Sequence, residues 1–187
     1  ITLNLLEAKA RFNSGDYSGA QEHLQLAQSF GASDNEIRNV RSEGLQLQRE
    51  RAAQLLSKGG VLARCAGGME WGPRALGNRS ILATAEDPSI NDRLNQRLQR
   101  TEFMPFAPIV RDVDRDRYFV GLDKCATSAQ FMTVCCPVTE EFQQNCPAAV
   151  HVDGTARPQI LSQTQNPDLY ALLTRVGQLT GTPALIN

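Results

Sequence analysis

The sequence predicts a mixed α/β fold, a twisted sheet with flanking helices, preceded by an α-helical hairpin. Three observations carry this expectation. Apolar residues recur at helical spacing through most of residues 1–58. From residue 60 onward, short apolar runs of strand length alternate with glycine- and proline-rich loops. Amphipathic stretches after Pro88 and Pro167 then supply helices able to cover a sheet.

The helical part comes first. "LNLLEAKARF" at residues 3–12 reads as one helix, "NSGD" breaks it, and Tyr17, Ala20, Leu24 and Ala27 resume the period until Gly31. Ser33 and Glu36 have the spacing of a capping box, and Ile37, Val40, Leu47 and Leu55 mark a third helix ending near Lys58-Gly59. "GDYSGAQEHLQLA" resembles a single tetratricopeptide unit, in which Ala20 and Ala27 permit close helix packing. No second copy is visible, so a capping or linker hairpin is expected rather than a peptide-binding array.

The α/β part follows in order. "VLARCA" and "SILATA" read as strands around a glycine-rich segment, and Pro88 opens a helix to about Gln99 with Ile90, Leu94 and Leu98 on one face. "FAPIVR" and "QFMTVCCPV" read as strands, and "AAVHVDG" and "ARPQILS" as two arms of a turn. Pro167–Gly177 reads as a helix with Leu169, Leu172, Leu173 and Val176 inward, and "PALIN" as a final strand.

Composition excludes several classes. The chain has 187 residues, 41% of them hydrophobic and 21% charged, enough for one core plus an appendage. Its net charge of −1, from 19 basic and 20 acidic residues, gives no whole-surface attraction to nucleic acid or to an anionic membrane. No apolar run reaches the roughly 18 residues that span a bilayer, and no signal-peptide pattern is present, so a cytoplasmic location is expected. A start at Ile1 rather than Met leaves room for an excised or processed fragment. Cys65, Cys125, Cys135, Cys136 and Cys146 are odd in number and lack metal-site spacing, so all five are expected as reduced thiols, without a metal. Cys135 and Cys136 fall in a strand-like run, so only one of them should face the core.

Two stretches stand out chemically. "GGMEWGPRALGNRSIL" at residues 67–82 sets Arg74 and Arg79 among four glycines. Glycines permit conformations that aim peptide N–H groups at a ligand, and guanidinium forks bind phosphate or carboxylate through paired hydrogen bonds. Two readings stay open: an anion site, or arginines paired at a surface with Glu70, Glu86 or Asp87. The stretch is neither a P-loop nor a dinucleotide fingerprint. "HVDGTARPQ" then gathers His151, Asp153, Thr155 and Arg157 within seven residues. His151 could act as a general acid or base with Asp153 orienting it, or the pair could simply stabilise a turn.

Together with "DRLNQRLQRTEFMPFAP" and "LTGTPALIN", these segments resemble, in order and spacing, the C-terminal domain of the O-carbamoyltransferases, the nodulation-factor, cephalosporin and aminoglycoside carbamoylating enzymes. The resemblance runs from about residue 47 to 187, which leaves residues 1–45 as a helical hairpin extension and 46–187 as the family domain. It implies a lobe similar to threonylcarbamoyl-adenylate synthases that binds carbamoyl phosphate and ATP and forms a carbamoyl-adenylate. A separate N-terminal lobe, carrying a metal, would transfer the carbamoyl group to a hydroxyl-bearing small-molecule acceptor. By the same resemblance, Arg74, Asn78, Arg79, Ser80, Arg100 and Arg157 are the expected carbamoyl phosphate and ATP contacts, and His151 the expected catalytic group. Leu98, Thr101 and Met104 stand where the family pattern has Lys, Glu and Arg, so two expected cations are missing, with Arg97 beside Leu98 as a substitute for one. The family also continues past Asn187. The expectation is therefore a fragment or reduced relative that does not complete transfer alone. The competing expectation is a non-catalytic module that docks a partner through the hairpin, whose apolar face could also pair with its own copy in a homodimer.

Overall fold

A computed structural model of the chain describes residues 1–101 and 104–187. Residues 102 and 103, within the "DRLNQRLQRTEFMPFAP" segment, lie outside the described residues. The fold is mixed α/β with an N-terminal helical hairpin, and the chain divides into two compact units, Ile1–Ala52 and Ala53–Asn187.

The first unit holds α1 (Thr2–Ser14), α2 (Tyr17–Ser29) and most of α3 (Asp34–Ser57). Gly15 ends α1 in the left-handed region at φ 90°, and the Asp16 carboxylate caps α2 by accepting from Gly19 N–H at 2.9 Å. Before α3 the capping box forms as its spacing predicts: Glu36 Oε2 accepts from Ser33 N–H at 2.9 Å, and Ser33 Oγ accepts from Glu36 N–H at 3.3 Å. Ala8, Phe12, Ala20, Leu24 and Ala27 make the core of this unit with Ala32, Ile37 and Val40. The Phe12 ring lies over Gly44, where a Cβ would meet it at 2.5 Å, so a glycine is required in the middle of that helix.

Among the described residues, the second unit is built on three small sheets. β1 (Leu62–Cys65) and β2 (Arg79–Leu82) are antiparallel, with Cys65 opposite Arg79 and Leu62 opposite Leu82. Beyond β2, Ala83 bridges to Ile186 of β7 (Ala184–Ile186). β7 is antiparallel to β3 (Pro108–Arg111), and β3 is parallel to β6 (Gln159–Leu161). β1-β2 and β6-β3-β7 are therefore two small sheets joined by the Ala83–Ile186 bridge. Ile109, Val110, Leu185 and Ile186 are wholly buried. α7 (Pro167–Thr180) buries Leu169, Leu172, Leu173 and Val176, the four residues its periodicity selects. α4 (Ser89–Arg97) buries Ile90 and Leu94, whereas Leu98 lies past its end and is exposed, and the short helices α5 (Arg115–Tyr118) and α6 (Glu140–Asn145) bury Tyr118 and Phe142.

Two sequence expectations are corrected. "QFMTVCCPV" is not one strand: Ser128–Phe131 is a 3₁₀ turn, Met132 turns left-handed at φ 55°, and only Cys136–Pro137 forms a strand, β4. A left-handed residue cannot continue a pleat, and Pro137 has no N–H for a ladder. "AAVHVDG" and "ARPQILS" do flank a turn, with His151 N–H donating to the Thr155 carbonyl at 2.7 Å, but they do not pair as strands. Pro147–Ala149 is a 3₁₀ turn, while Thr155–Ala156 forms β5 and pairs antiparallel with β4. The alternation expected at the cysteines holds, with Cys136 buried and Cys135 exposed.

Candidate functional site

The glycine-rich segment leaves β1 and re-enters the sheet at β2, and it is folded around a carboxylate of its own. Glu70 Oε1 accepts from the N–H groups of Leu76 at 2.9 Å and Asn78 at 2.8 Å, and Oε2 accepts from Arg79 N–H at 3.2 Å. Gly77 N–H donates to the buried Ser80 hydroxyl at 2.9 Å. The amides of residues 76–79 therefore all have internal partners and are not aimed at a ligand. The segment's own acid satisfies them first, because a carboxylate accepts several N–H bonds more strongly than neutral groups do. Glu70 does not pair with either arginine, so that alternative also lapses for Glu70; among the described residues no carboxylate pairs with Arg74 or Arg79.

The arginines differ in how far they are committed. Arg79 is exposed and donates to the carbonyls of Ala66 at 2.8 Å, Asn78 at 2.9 Å and Gly67 at 3.3 Å. That uses both Nη1 hydrogens and one on Nη2, leaving Nε–H and the other Nη2–H available. Arg74 is half-buried and has no hydrogen bond or ion pair among the described residues. Arg157 is also half-buried without such a partner, and its Nε is fully buried and unsatisfied. Arg100 lies over the Phe106 ring, with Cζ 4.4 Å from the centroid. Asn78 accepts from Asn166 Nδ2 at 3.0 Å and donates to the Gly68 carbonyl at 3.2 Å, so it holds the segment rather than pointing away from it.

Four distant segments meet at one knot of amide side chains. Gln159, 2% exposed, donates from Nε2 to the Leu76 carbonyl at 2.6 Å. Asn187 Nδ2 donates to the Ala75 carbonyl at 2.8 Å and to Gln159 Oε1 at 3.3 Å, and Asn187 N–H donates to the Ala107 carbonyl at 2.9 Å. Ala75 follows Arg74, Gln159 lies two residues after Arg157, and Ala107 follows the Phe106 that carries Arg100. The knot thus anchors backbone close to Arg74 and Arg157 and at the residue after Phe106, whose ring Arg100 covers. On the other side, Arg64 donates to the Gly77 carbonyl at 2.7 Å and to Asn166 Oδ1 at 3.4 Å. Sequence reasoning missed Glu70 as an organiser, and Arg64, Gln159, Asn166 and Asn187 altogether. An amide three residues before an apolar helix start was the one readable signal: Asn166 caps α7, accepting from Leu169 N–H at 3.2 Å.

His151 belongs to a relay. Thr155 Oγ1 lies 2.7 Å from Asp153 Oδ1 and 3.0 Å from His151 Nδ1. The single hydroxyl proton goes to the carboxylate, so Nδ1–H of His151 donates to Thr155 and Nε2 carries the free lone pair. Asp153 therefore orients His151 by hydrogen bonding through Thr155, and not by a direct bond. Burial pushes the His151 pKa down from its ordinary value, the Asp153 charge opposes this, and the Arg157 charge adds to it. The Thr155 hydroxyl and N–H hold the Asp153 carboxyl below its ordinary value. Among the described residues no three of His, Cys, Asp and Glu gather to hold a metal ion. No described helix is long and apolar enough to cross a membrane.

Residues 53–187 match the family model described as carbamoyltransferase C-terminus, and the chain belongs to that family. The chain is 41% identical over 139 residues to an uncharacterized protein of Methanocaldococcus jannaschii, covering 74% of this chain and 22% of that protein. Nodulation protein NolNO of Sinorhizobium fredii is 38% identical over 138 residues, covering 73% and 20%. The 3'-hydroxymethylcephem-O-carbamoyltransferase of Streptomyces clavuligerus is 35% identical over 148 residues, covering 79% and 27%. The chain spans roughly a quarter or less of the length of these relatives.

Proposed function

We propose that this domain binds carbamoyl phosphate and ATP and forms a carbamoyl-adenylate, which a further lobe, carrying the metal, passes to a hydroxyl-bearing acceptor. The observation that carries the reading is Arg157, a half-buried guanidinium with an unsatisfied, fully buried Nε. A buried donor without a partner costs about 1 to 3 kcal/mol, and a charged one more, so its retention is best explained by an anion that completes it. The backbone beside Arg74, near Arg100 and near Arg157 is tied to one knot, and Arg79 keeps donors free at the mouth of β1 and β2. Both proposed substrates are polyanions, and a chain of net charge −1 can hold them only by such local gathering. Asn78 and Ser80 serve in this reading by shaping the segment that presents Arg79. The free Nε2 of His151 is suited to serve as a hydrogen-bond acceptor or general base at the carbamoyl end. A cytoplasmic location fits reactants that are intracellular metabolites.

Isothermal titration of carbamoyl phosphate and of ATP into the chain tests this. Binding should weaken about 30-fold or more in Arg157→Ala, since truncating one partner of a buried charge pair costs about 2 to 5 kcal/mol. Absent binding to the unaltered chain, or an unchanged Kd in the variant, would overturn the reading.

A second reading, a docking module, is favoured by the exposure of Leu3, Leu6 and Phe30 in the helical unit. Leu3 and Leu6 lie one turn apart on α1 and would meet a partner or a second copy together. Loss of self-association or capture in Leu3→Glu/Leu6→Glu, with no anion binding by the unaltered chain, would favour that reading over the first.

A further inference from the structure

We propose that Cys125 and Cys136 form an oxidisable dithiol, a modification site at which an intramolecular disulfide closes directly behind the Asp153–Thr155–His151 relay. Their sulfurs are 3.6 Å apart, although they come from different elements: Cys125 follows the 3₁₀ turn Leu122–Lys124, and Cys136 opens β4. Among the described residues no other two sulfurs touch. Cys136 is opposite Ala156 in the β4–β5 ladder, and Pro137 is opposite Thr155. A bond at Cys136 is therefore one ladder position from the hydroxyl that orients His151.

The two thiols are unequal in a useful way. Cys125 is partly exposed and reachable by a small oxidant, whereas Cys136 is 3% exposed and burial pushes its thiol up to about 11. With a hydroperoxide as oxidant, the Cys125 thiolate attacks one peroxide oxygen, the O–O bond breaks, and one water leaves after protonation, giving a sulfenic acid. Cys136 sulfur then attacks Cys125 sulfur, losing its proton; the S–S bond forms, the S–O bond breaks and a second water leaves. Two thiols and one hydrogen peroxide become one disulfide and two waters, a two-electron change. The sulfurs need to close only from 3.6 Å to about 2.0 Å. A dithiol reductant reverses the step by exchange. Cys65 and Cys135 are more exposed but have no partner sulfur, and Cys146 is wholly buried with its thiol pushed up to about 12.

The test is to treat the reduced chain with one equivalent of hydrogen peroxide, block remaining thiols with N-ethylmaleimide, and digest with chymotrypsin, which cuts between the two cysteines at Phe131. The expected product is a linked peptide pair two hydrogens lighter than the free peptides, restored by dithiothreitol. Cys125→Ser, at a partly exposed position, should abolish the link, and Cys135→Ser should retain it, which assigns the second sulfur to Cys136. Blocking of all five thiols after peroxide, a link that disappears in Cys135→Ser, or a link that survives in Cys125→Ser would overturn the proposal. None of these readouts depends on carbamoyl phosphate or ATP binding.

Discussion

Asn187 Nδ2 donates to Gln159 Oε1 at 3.3 Å while Gln159 donates onward to the Leu76 carbonyl at 2.6 Å, so the residue that follows the last strand and one of β6 clamp a segment some hundred positions earlier. Asn187→Leu removes the donor and leaves the Ala75 carbonyl and Gln159 Oε1 without it. Destabilisation of about 1 to 3 kcal/mol is expected by urea unfolding. Carbamoyl phosphate affinity should fall as well, because the backbone beside Arg74 loses its tie.

Glu70 is the acceptor for three backbone N–H groups of the glycine-rich segment. In Glu70→Ala, hydrogen exchange at Leu76, Asn78 and Arg79 should speed up by at least tenfold while amides of α7 keep their protection. Glu70→Gln keeps an oxygen acceptor and should give an intermediate effect. Unaltered exchange at these three amides would show that the carboxylate does not hold the segment.

Gly77 has φ 117°, and a Cβ there would meet Leu169 Cδ2 at 2.3 Å. Both the backbone strain and the packing against a buried leucine act against Gly77→Ala. A loss of about 2 to 4 kcal/mol is expected in chemical denaturation. Gly72, also left-handed at φ 108° but with open space around it, should cost less on the same change.

His151 has its pKa lowered by burial, so the folded state holds this ring neutral where the unfolded chain would already be protonated. Its contribution to stability is therefore intact above the unfolded value of about 6.5 and declines as pH falls below it toward the lower folded value. Thr155→Val removes the hydroxyl that accepts from Nδ1, and ¹⁵N chemical shifts of the ring should then show a mixture of tautomers where the unaltered chain shows Nδ1–H. Thr155→Ser should restore the single tautomer. A mixture already present in the unaltered chain would count against the relay.

The local rules were legible in the chain. Helical periodicity placed α1, α2, α3 and α7, Ser33 and Glu36 announced their capping box, and alternation told Cys136 from Cys135. The motifs "GPRALGNRS" and "HVDGTAR" named the arginines and His151, because guanidinium forks and an imidazole have their chemistry wherever they sit. Glycine content alone was a poor guide: it marked the segment as flexible, but not that Glu70 would claim its amides.

What only the tertiary structure decided is which groups are left over. Whether an N–H, a guanidinium or a thiol is free depends on partners separated by as many as 112 residues, and hydrogen bonds are short-range and directional, so sequence spacing does not reveal them. The sequence by itself determined the longer helices, the apolar runs of β1, β2, β3 and β7, and the arginines. The three-dimensional fold determined that Glu70 fills the glycine segment, that Asn187 and Gln159 knot four segments together, that Thr155 stands between Asp153 and His151, and that Arg157 keeps a buried donor without a partner.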